Sequence, residues 1–359
     1  MLRNDLTDDL QIEHPIIQAP MAGGVTTSSL VSAVSNHGGL GMIGAGYMSP
    51  GQIREQIKDV RKLTANQFGI NLFVPNEFTV KENDIVISNQ LLQPIRDQLN
   101  IKQENVKLPS PKEYFHIFHE QIQVIIEEKI PVCSFTFGIP SKEVISALKQ
   151  KGIILIGTAT TVKEAIEVEK SGMDIVVVQG SEAGGHRGNF ISSAEDGMIG
   201  LMSLIPQVVD HVSIPVIAAG GIMDGRGVMA AICLGAKAVQ MGTAFLTCSE
   251  SGAHQMHKDA ILNSDEDETA VTRAFSGKWA RGIKNQLIRE MQDFEVDFPV
   301  FPIQNTLTQS IRKASSKQNN CEFMSLWSGQ SPRLAKNQSV ESLINAIISE
   351  AKKISMANH

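Results

Sequence analysis

The segment Asp174 to Gly188, D-I-V-V-V-Q-G-S-E-A-G-G-H-R-G, constrains the fold more than any other stretch of the chain. Ile175 to Val178 is an uninterrupted β-branched run, which suits a strand covered on both faces in a parallel sheet and does not suit a half-solvated one. The run empties into a glycine-rich loop that delivers one imidazole, His186. Gly184 and Gly185 before it and Gly188 after it carry no Cβ, so the backbone can turn sharply and something flat and bulky can approach closely. α/β folds put their chemistry at the carboxyl ends of such strands, which makes His186 a candidate general base. Ordinary loop hydrogen bonding is the plain alternative for a single histidine.

The same alternation of short apolar run, glycine-rich exit and amphipathic helix recurs along the chain. Strands are expected at Ile16 to Met21, Leu40 to Ala45, Phe68 to Val74, Val132 to Phe137, Ile153 to Ile156, Ile175 to Val178, Pro215 to Ile222 and Ala238 to Phe245. Helices open on recognisable caps: Ser49-Pro50-Gly51-Gln52 offers an N-cap serine, a proline at N1 and a glutamine at N3, and Thr161 to Glu164 reads as a capping box. Asn71 inside the third strand needs partners, either backbone or a ligand. Residues 76–130 lack a strand pattern and hold two helical stretches, near Ile85 to Leu99 and from Pro111 to Glu128. The last helix arrives late, with Val340, Leu343, Ile344, Ile347, Ile348 and Ala351 on one face.

Eight strands alternating with helices predict an α/β fold, a (β/α)8 TIM barrel with a small, mainly helical cap inserted between strand eight and the last helix. The expected division is a barrel from 1–246 and 336–359, with the helical insertion at about 76–130, and a cap at 247–335. A chain of 359 residues fits such a barrel with insertions.

A net charge of −6 supplies no footprint for nucleic acid, and no apolar segment is long enough to span a bilayer. The acidic start, M-L-R-N-D-L-T-D-D-L, does not read as a secretory signal, so a cytoplasmic protein is expected. Cys133, Cys233, Cys248 and Cys321 are far apart, which argues against metal ligation and for reduced thiols; Cys133 and Cys233 sit in apolar runs and read as core. His116 and His119 have a spacing that could chelate, but no third ligand is evident and a solvated helix face explains them.

Gly220-Gly221 after the seventh strand and Gly242-Thr243 at the eighth lie where barrels commonly hold a phosphate. Backbone N–H groups there, with the positive end of the helix opened by Gly225 to Gly227, would cradle an anion without lysine or arginine. The chain contains no P-loop motif and no full dinucleotide fingerprint, so the phosphate should be a mononucleotide's.

Q-A-P-M-A-G-G, F-G-I-N-L-F, Q-G-S-E-A-G-G-H-R-G, P-V-I-A-A-G-G-I-M-D-G-R-G and V-Q-M-G-T-A-F-L together resemble the FMN-dependent nitronate monooxygenases. A-F-S-G-K-W-A-R-G-I from Ala274 and W-S-G-Q at Trp327 look like that family's C-terminal portion. The resemblance spans nearly the whole chain. It implies a capped barrel, a non-covalent FMN on the carboxyl face, and oxidation of alkyl nitronates by O2 to a carbonyl compound and nitrite. It also implies that Asn71 and Gln179 are flavin-contacting amides, that Ala19, Pro20 and Met21 lie against the isoalloxazine, and that Gly184, Gly220 and Gly221 make backbone contacts. Gln240, Met241, Gly242 and Thr243 match the phosphate end, and His186 matches the active-site histidine. Arg187 reads equally as a second cation and as a structural arginine. The family's tyrosine-lined substrate pocket does not transfer, because neither Tyr47 nor Tyr114 falls in the cap. An FMN-dependent enoyl-acyl-carrier-protein reductase and an NAD(P)H:quinone reductase share the barrel and are the runners-up; a flavin-binding module without turnover has no need of His186. No metal is expected, and the oligomeric state, monomer or homodimer, is left open.

Overall fold

In the computed structural model, which describes residues 2–102 and 106–357, the strands are β1 (Ile16–Gln18), β2 (Gly41–Gly44), β3 (Phe68–Phe73), β4 (Val132–Thr136), β5 (Ile154–Ala159), β6 (Ile175–Gln179), β7 (Gly185–His186), β8 (Val216–Ala219), β9 (Ala238–Met241), β10 (Thr269–Thr272) and β11 (Ala280–Ile283). Eight of them form one parallel sheet in the order β1-β9-β8-β6-β5-β4-β3-β2. A parallel bridge from Ile17 to Leu40 joins its two ends, with Leu40 N–H donating to Ile16 C=O at 2.9 Å. The sheet is therefore a barrel with helices outside it, as expected.

Alternation along each strand divides the apolar side chains into two layers. Val176 and Val178 join the layer between strands and helices, while Ile175 and Val177 join the barrel interior with Met42, Val132, Ile156 and Ile217. This is why β6 is apolar from Ile175 to Val178: neither face meets water until Gln179 reaches the cavity. Leu6, Leu10 and Ile12 complete the interior layer. The last helix, Val340–Ala357, buries the six expected residues. It packs so closely on the helix Gly225–Cys233 that a Cβ on Gly225 would lie 2.7 Å from the Ala351 nitrogen.

Three local expectations are corrected. The eighth barrel strand stops at Met241, and Thr243–Leu246 is a helical turn whose start is held by Gly242 C=O accepting from Phe245 N–H at 2.9 Å and Leu246 N–H at 3.0 Å. Its residues are apolar because they are buried, and apolarity alone does not distinguish strand from helix in so short a run. Cys233 is exposed, because it ends its helix off the face carrying Val228 and Ala231. The capping box at Thr161 is half made: Thr161 accepts from Glu164 N–H, but the Glu164 carboxylate turns elsewhere.

Residues 247–335 contain the helices Gln255–Leu262, Gln286–Met291, Ile303–Leu307 and Gln309–Lys317 and the antiparallel pair β10–β11. The apolar core of this segment includes Phe275, Leu287, Phe298, Ile303, Leu307 and Phe323. Leu92, Ile95 and Leu99 from the helix Glu82–Gln98 pack into the same core. The second helix of that insertion, Pro111–Glu127, instead covers the barrel with Phe118, Ile122, Val124 and Ile125. Among the described residues no helix is long and apolar enough to cross a membrane.

Candidate active site

A cavity of about 910 Å³ opens at the carboxyl ends of the barrel strands, within the size range that buries a cofactor or drug-sized ligand. The strand ends supply Ala19, Pro20 and Met21 after β1, Asn71 on β3, Gln179 on β6, Gly220 and Gly221 after β8, and Gln240, Gly242 and Thr243 at β9. Gly184 and His186 also line it. Met241, expected at the phosphate end, does not: it is 1 % exposed and belongs to the layer under the helices. Period-two alternation turns Gln240 into the cavity and Met241 away from it.

His186 does not sit on a free loop. Gly185–His186 is the edge strand β7 of a second, three-stranded sheet, antiparallel to β11, with His186 opposite Ala280 and Gly185 opposite Arg281. Gly185, at φ 71, supplies the left-handed turn that swings the chain from the barrel into this sheet. Gln179 secures the join: its Nε2 donates to His186 C=O at 3.0 Å and its Oε1 accepts from Gly188 N–H at 2.8 Å. Both ends of this amide, expected against a flavin, are engaged by the histidine segment.

The imidazole Nε2 lies 2.8 Å from Ser276 Oγ, which itself donates to Lys278 C=O at 3.0 Å. With that hydroxyl proton committed to the carbonyl, Nε2–H is the donor to Ser276 and Nδ1 keeps its lone pair. Nδ1 has no hydrogen-bond partner among the described residues. The ring is enclosed by Trp327, Phe137 and Phe301, with centroids at 5.4, 5.9 and 6.1 Å. Burial, and after it the charges of Lys278 and Arg312, push its pKa down to about 3. Both effects favour the neutral imidazole at physiological pH.

The anion cradle differs from the expected one. The first turn of the helix Gly225–Cys233 is already occupied, because Asp224 accepts from Arg226 and Gly227 N–H and Glu350 accepts from Gly225 N–H at 2.8 Å. A phosphate would meet carboxylates there. The N–H groups of Gly221, Ile222, Gly242 and Thr243 have no protein acceptor among the described residues, and these residues line the cavity. A Cβ on Gly221, whose φ is 67, would lie 3.1 Å from Glu182 Cβ, so that wall of the cradle exists because the position is glycine.

Arg187 is structural: it is 1 % exposed and its guanidinium donates to the carbonyls of Gly180, Gln179 and Gly197. Glu164, fully buried, accepts from Thr160 N–H and Oγ–H and from the N–H groups of Phe190, Ile191 and Ser192. It anchors the chain just past His186. The W-S-G-Q stretch closes the other side: Gly329 N–H donates to Thr243 Oγ1 at 2.9 Å and Gln330 N–H to Glu182 C=O at 2.9 Å. Gly184 permits the approach, since a Cβ there would stand 2.5 Å from the Gly329 nitrogen.

Several lining residues escape sequence reasoning. Tyr47 and Tyr114 both line the cavity although both precede the cap in sequence, and burial pushes the Tyr114 hydroxyl up to about 12. Tyr47 is 40 % exposed, into this cavity. Arg312 brings a guanidinium with no carboxylate within 4 Å among the described residues; its Nη2 donates to Asn305 C=O at 2.7 Å, and its buried Nε has no partner. Ser276 and Lys278 lie in a motif singled out by resemblance, but nothing in the motif tells that Ser276 meets His186 or that the Lys278 ammonium lies over the Phe137 ring. Among the described residues no group of His, Cys, Asp or Glu could hold a metal, and His116 instead lies 3.8 Å from Glu120 on an exposed face.

The family model for nitronate monooxygenase matches residues 3–350. The chain is 52 % identical over 353 residues to a probable nitronate monooxygenase of Staphylococcus haemolyticus, covering 98 % of each chain. Its structure is similar to nitroalkane oxidase from Streptomyces ansochromogenes, with a TM-score of 0.91 and 37 % identity over 99 % of this chain and all of the other. FabK from Thermotoga maritima is also similar, with a TM-score of 0.78 and 32 % identity over 99 % of this chain and 98 % of that one. With the whole barrel and its cap matched in this way, the chain belongs to the nitronate monooxygenase family and is an oxidoreductase.

Proposed function

We propose that this enzyme oxidises alkyl nitronates with O2 to carbonyl compounds and nitrite, using FMN bound on the carboxyl face of the barrel and His186 as the base and anion-binding group. The observation that carries the reading is the placement of His186: a half-buried imidazole tied through Nε2 to Ser276, with Nδ1 unpartnered beside a nucleotide-sized cavity. Its Nδ1 lone pair can accept the α-proton of a nitroalkane and the Nδ1–H so formed can donate to the resulting anion; in the empty site burial makes it a weak base, and the negative charge developing on the bound substrate would raise its pKa. Arg312 adds a positive charge on the cap side of the cavity, which favours an anionic substrate.

The residues fit FMN. The unpartnered N–H groups of Gly221, Ile222, Gly242 and Thr243 would hold the phosphate, the Ala19 to Met21 backbone would lie against the ring system, and Asn71 would meet its polar edge. Asn71 is held for this by donating to Ser134 Oγ at 2.9 Å and Thr136 Oγ1 at 3.0 Å, which leaves its carbonyl oxygen free. When bound, FMN would supply the redox chemistry, taking electrons from the substrate and passing them to O2. The cap and the aromatic rings around His186 keep water from the reacting carbon. The cytoplasm is the proposed location.

His186→Asn tests the reading. FMN should stay bound, because the cradle does not include the imidazole. Turnover of a neutral nitroalkane should fall by about 10²–10⁴, the usual contribution of one acid–base group, and turnover of a preformed nitronate by less. Equal kcat/KM in variant and wild type for both substrates would refute the assignment. Recovery of FAD on denaturation would refute the cofactor. Fast flavin reduction by NADH that depends on an enoyl thioester or a quinone would move the function to the corresponding reductase.

A further inference from the structure

The carbon from which His186 would take a proton carries the rest of the substrate, and that remainder must leave the site in some direction. Toward the strand ends the cavity presents backbone N–H groups and amides, and toward the helix Gln309–Lys317 it presents Arg312 and Lys313. Two walls are apolar: Met21, Val25, Leu246 and Met324 form one, closed behind by their own packed cluster, and Phe73, Tyr114 and Phe137 form the other. Behind the same three rings lies a second cavity of about 320 Å³, whose further lining includes Phe78, Phe190, Val300 and Phe301.

Phe137 is the partition between the two. Its ring lies 5.9 Å from the His186 ring, 4.6 Å from Phe73 and 5.7 Å from Phe301. Its backbone is held at φ 75, in the left-handed region that bulky residues rarely adopt, and such positions cluster where function requires them. On the far side the Lys278 ammonium stands 4.8 Å from the Phe137 ring centroid and donates to Asn189 C=O at 3.1 Å. Among the described residues that cation has no carboxylate within 4 Å, and Asn76, Asn189 and Ser192 add polar groups to the lining of the second cavity, which is otherwise carbon. Its dominant chemistry is aromatic and aliphatic carbon, one ring away from the reacting centre.

We propose that the second cavity receives the alkyl tail of the substrate, and that Phe137 sets which chain lengths and branches are admitted. The proposal rests on the nitronate reading of the main cavity. A methylene group is comparable in size to a water molecule's share of about 30 Å³, so the second cavity has room for a tail of roughly ten carbons.

The test is the dependence of kcat/KM on chain length for straight-chain primary nitronates, ethyl to dodecyl, on the FMN-loaded enzyme. We expect a rise of roughly fourfold per methylene up to about ten carbons and then a plateau, the fold-change that corresponds to burying one CH2. Val74→Phe, at a buried position that lines the second cavity and not the main one, should flatten that slope, and Phe137→Ala should raise the relative rate of branched substrates. If Val74→Phe does not fold, Val74→Leu serves the same purpose. A flat series in the wild type, or a slope that survives filling, overturns the proposal. Calorimetric titration with n-alkanols from ethanol to octanol repeats the test without turnover. Inert nitronates with chain-dependent alkanol binding would sink the catalytic reading and keep the tail site. Active nitronates with no chain dependence in either series would do the reverse.

Discussion

Burial, and after it the charges of Lys278 and Arg312, favour a neutral His186, and this has measurable consequences. Its pKa falls from the usual 6.5 to about 3 on folding, so between those values the unfolded chain binds a proton that the native one refuses. The stability linked to this group is complete above about pH 6.5 and declines as pH falls toward 3. His186→Asn should therefore show a smaller drop in Tm between pH 7.5 and pH 5 than the wild type, in parallel thermal melts. In the free enzyme kcat/KM for a preformed nitronate should have no histidine inflection between pH 6 and 8; an inflection near 6.5 would mean that the imidazole is solvated. Glu164→Gln replaces an acceptor of five bonds by a group that presents N–H to N–H. It should cost about 1–3 kcal/mol in urea unfolding, with Gly188 to Ser192 losing amide protection first. His186 was legible in the sequence because a β-branched run and three glycines surround it. Ser276 was not, because nothing local to it signals a partner 90 residues away, and the same holds for Arg312 and Tyr47.

Among elements, helix starts marked by a side-chain cap, such as Ser49, were readable to the residue, whereas the uncapped helix expected near Ile85 begins at Glu82. Ser49 accepts from Gln52 N–H and Gln52 returns the bond, so Ser49→Ala should cost about 1 kcal/mol and leave kcat unchanged. The exit at Gly225 was misjudged because glycine-rich text looks the same whether the freed N–H groups meet a ligand or, as here, Asp224 and Glu350. β7 was invisible for a similar reason: two residues between glycines carry no alternation, and only pairing with β11 makes them a strand. Gly184→Ala should disturb this region more than any surface change, since the new Cβ would collide with the Ser328–Gly329 backbone. The expected outcome is a lower Tm together with a loss of activity that added FMN does not restore.

At the scale of the whole molecule the barrel was legible and the contacts between its attachments were not. Eight apolar runs with glycine exits announce the ring, but the sharing of one core by the helix Glu82–Gln98 and residues 274–323 depends on contacts across some two hundred positions. Leu92→Ala, which removes a fully buried side chain from that shared core, should cost about 2–5 kcal/mol. Hydrogen exchange should then rise together in the helices Glu82–Gln98 and Ile303–Leu307, while the barrel strands stay protected. Independent opening of the two helices would contradict a common core. The pairing of β7 with β11 bears also on how such a protein can diversify. Because the histidine is presented by a strand whose neighbour belongs to the 247–335 segment, recombination cannot exchange that segment while keeping the imidazole in register. Lineages can revise the cavity walls one side chain at a time, but a transplanted cap must carry its own Ala280–Ile283 equivalent or arrive with a barrel whose histidine is no longer held.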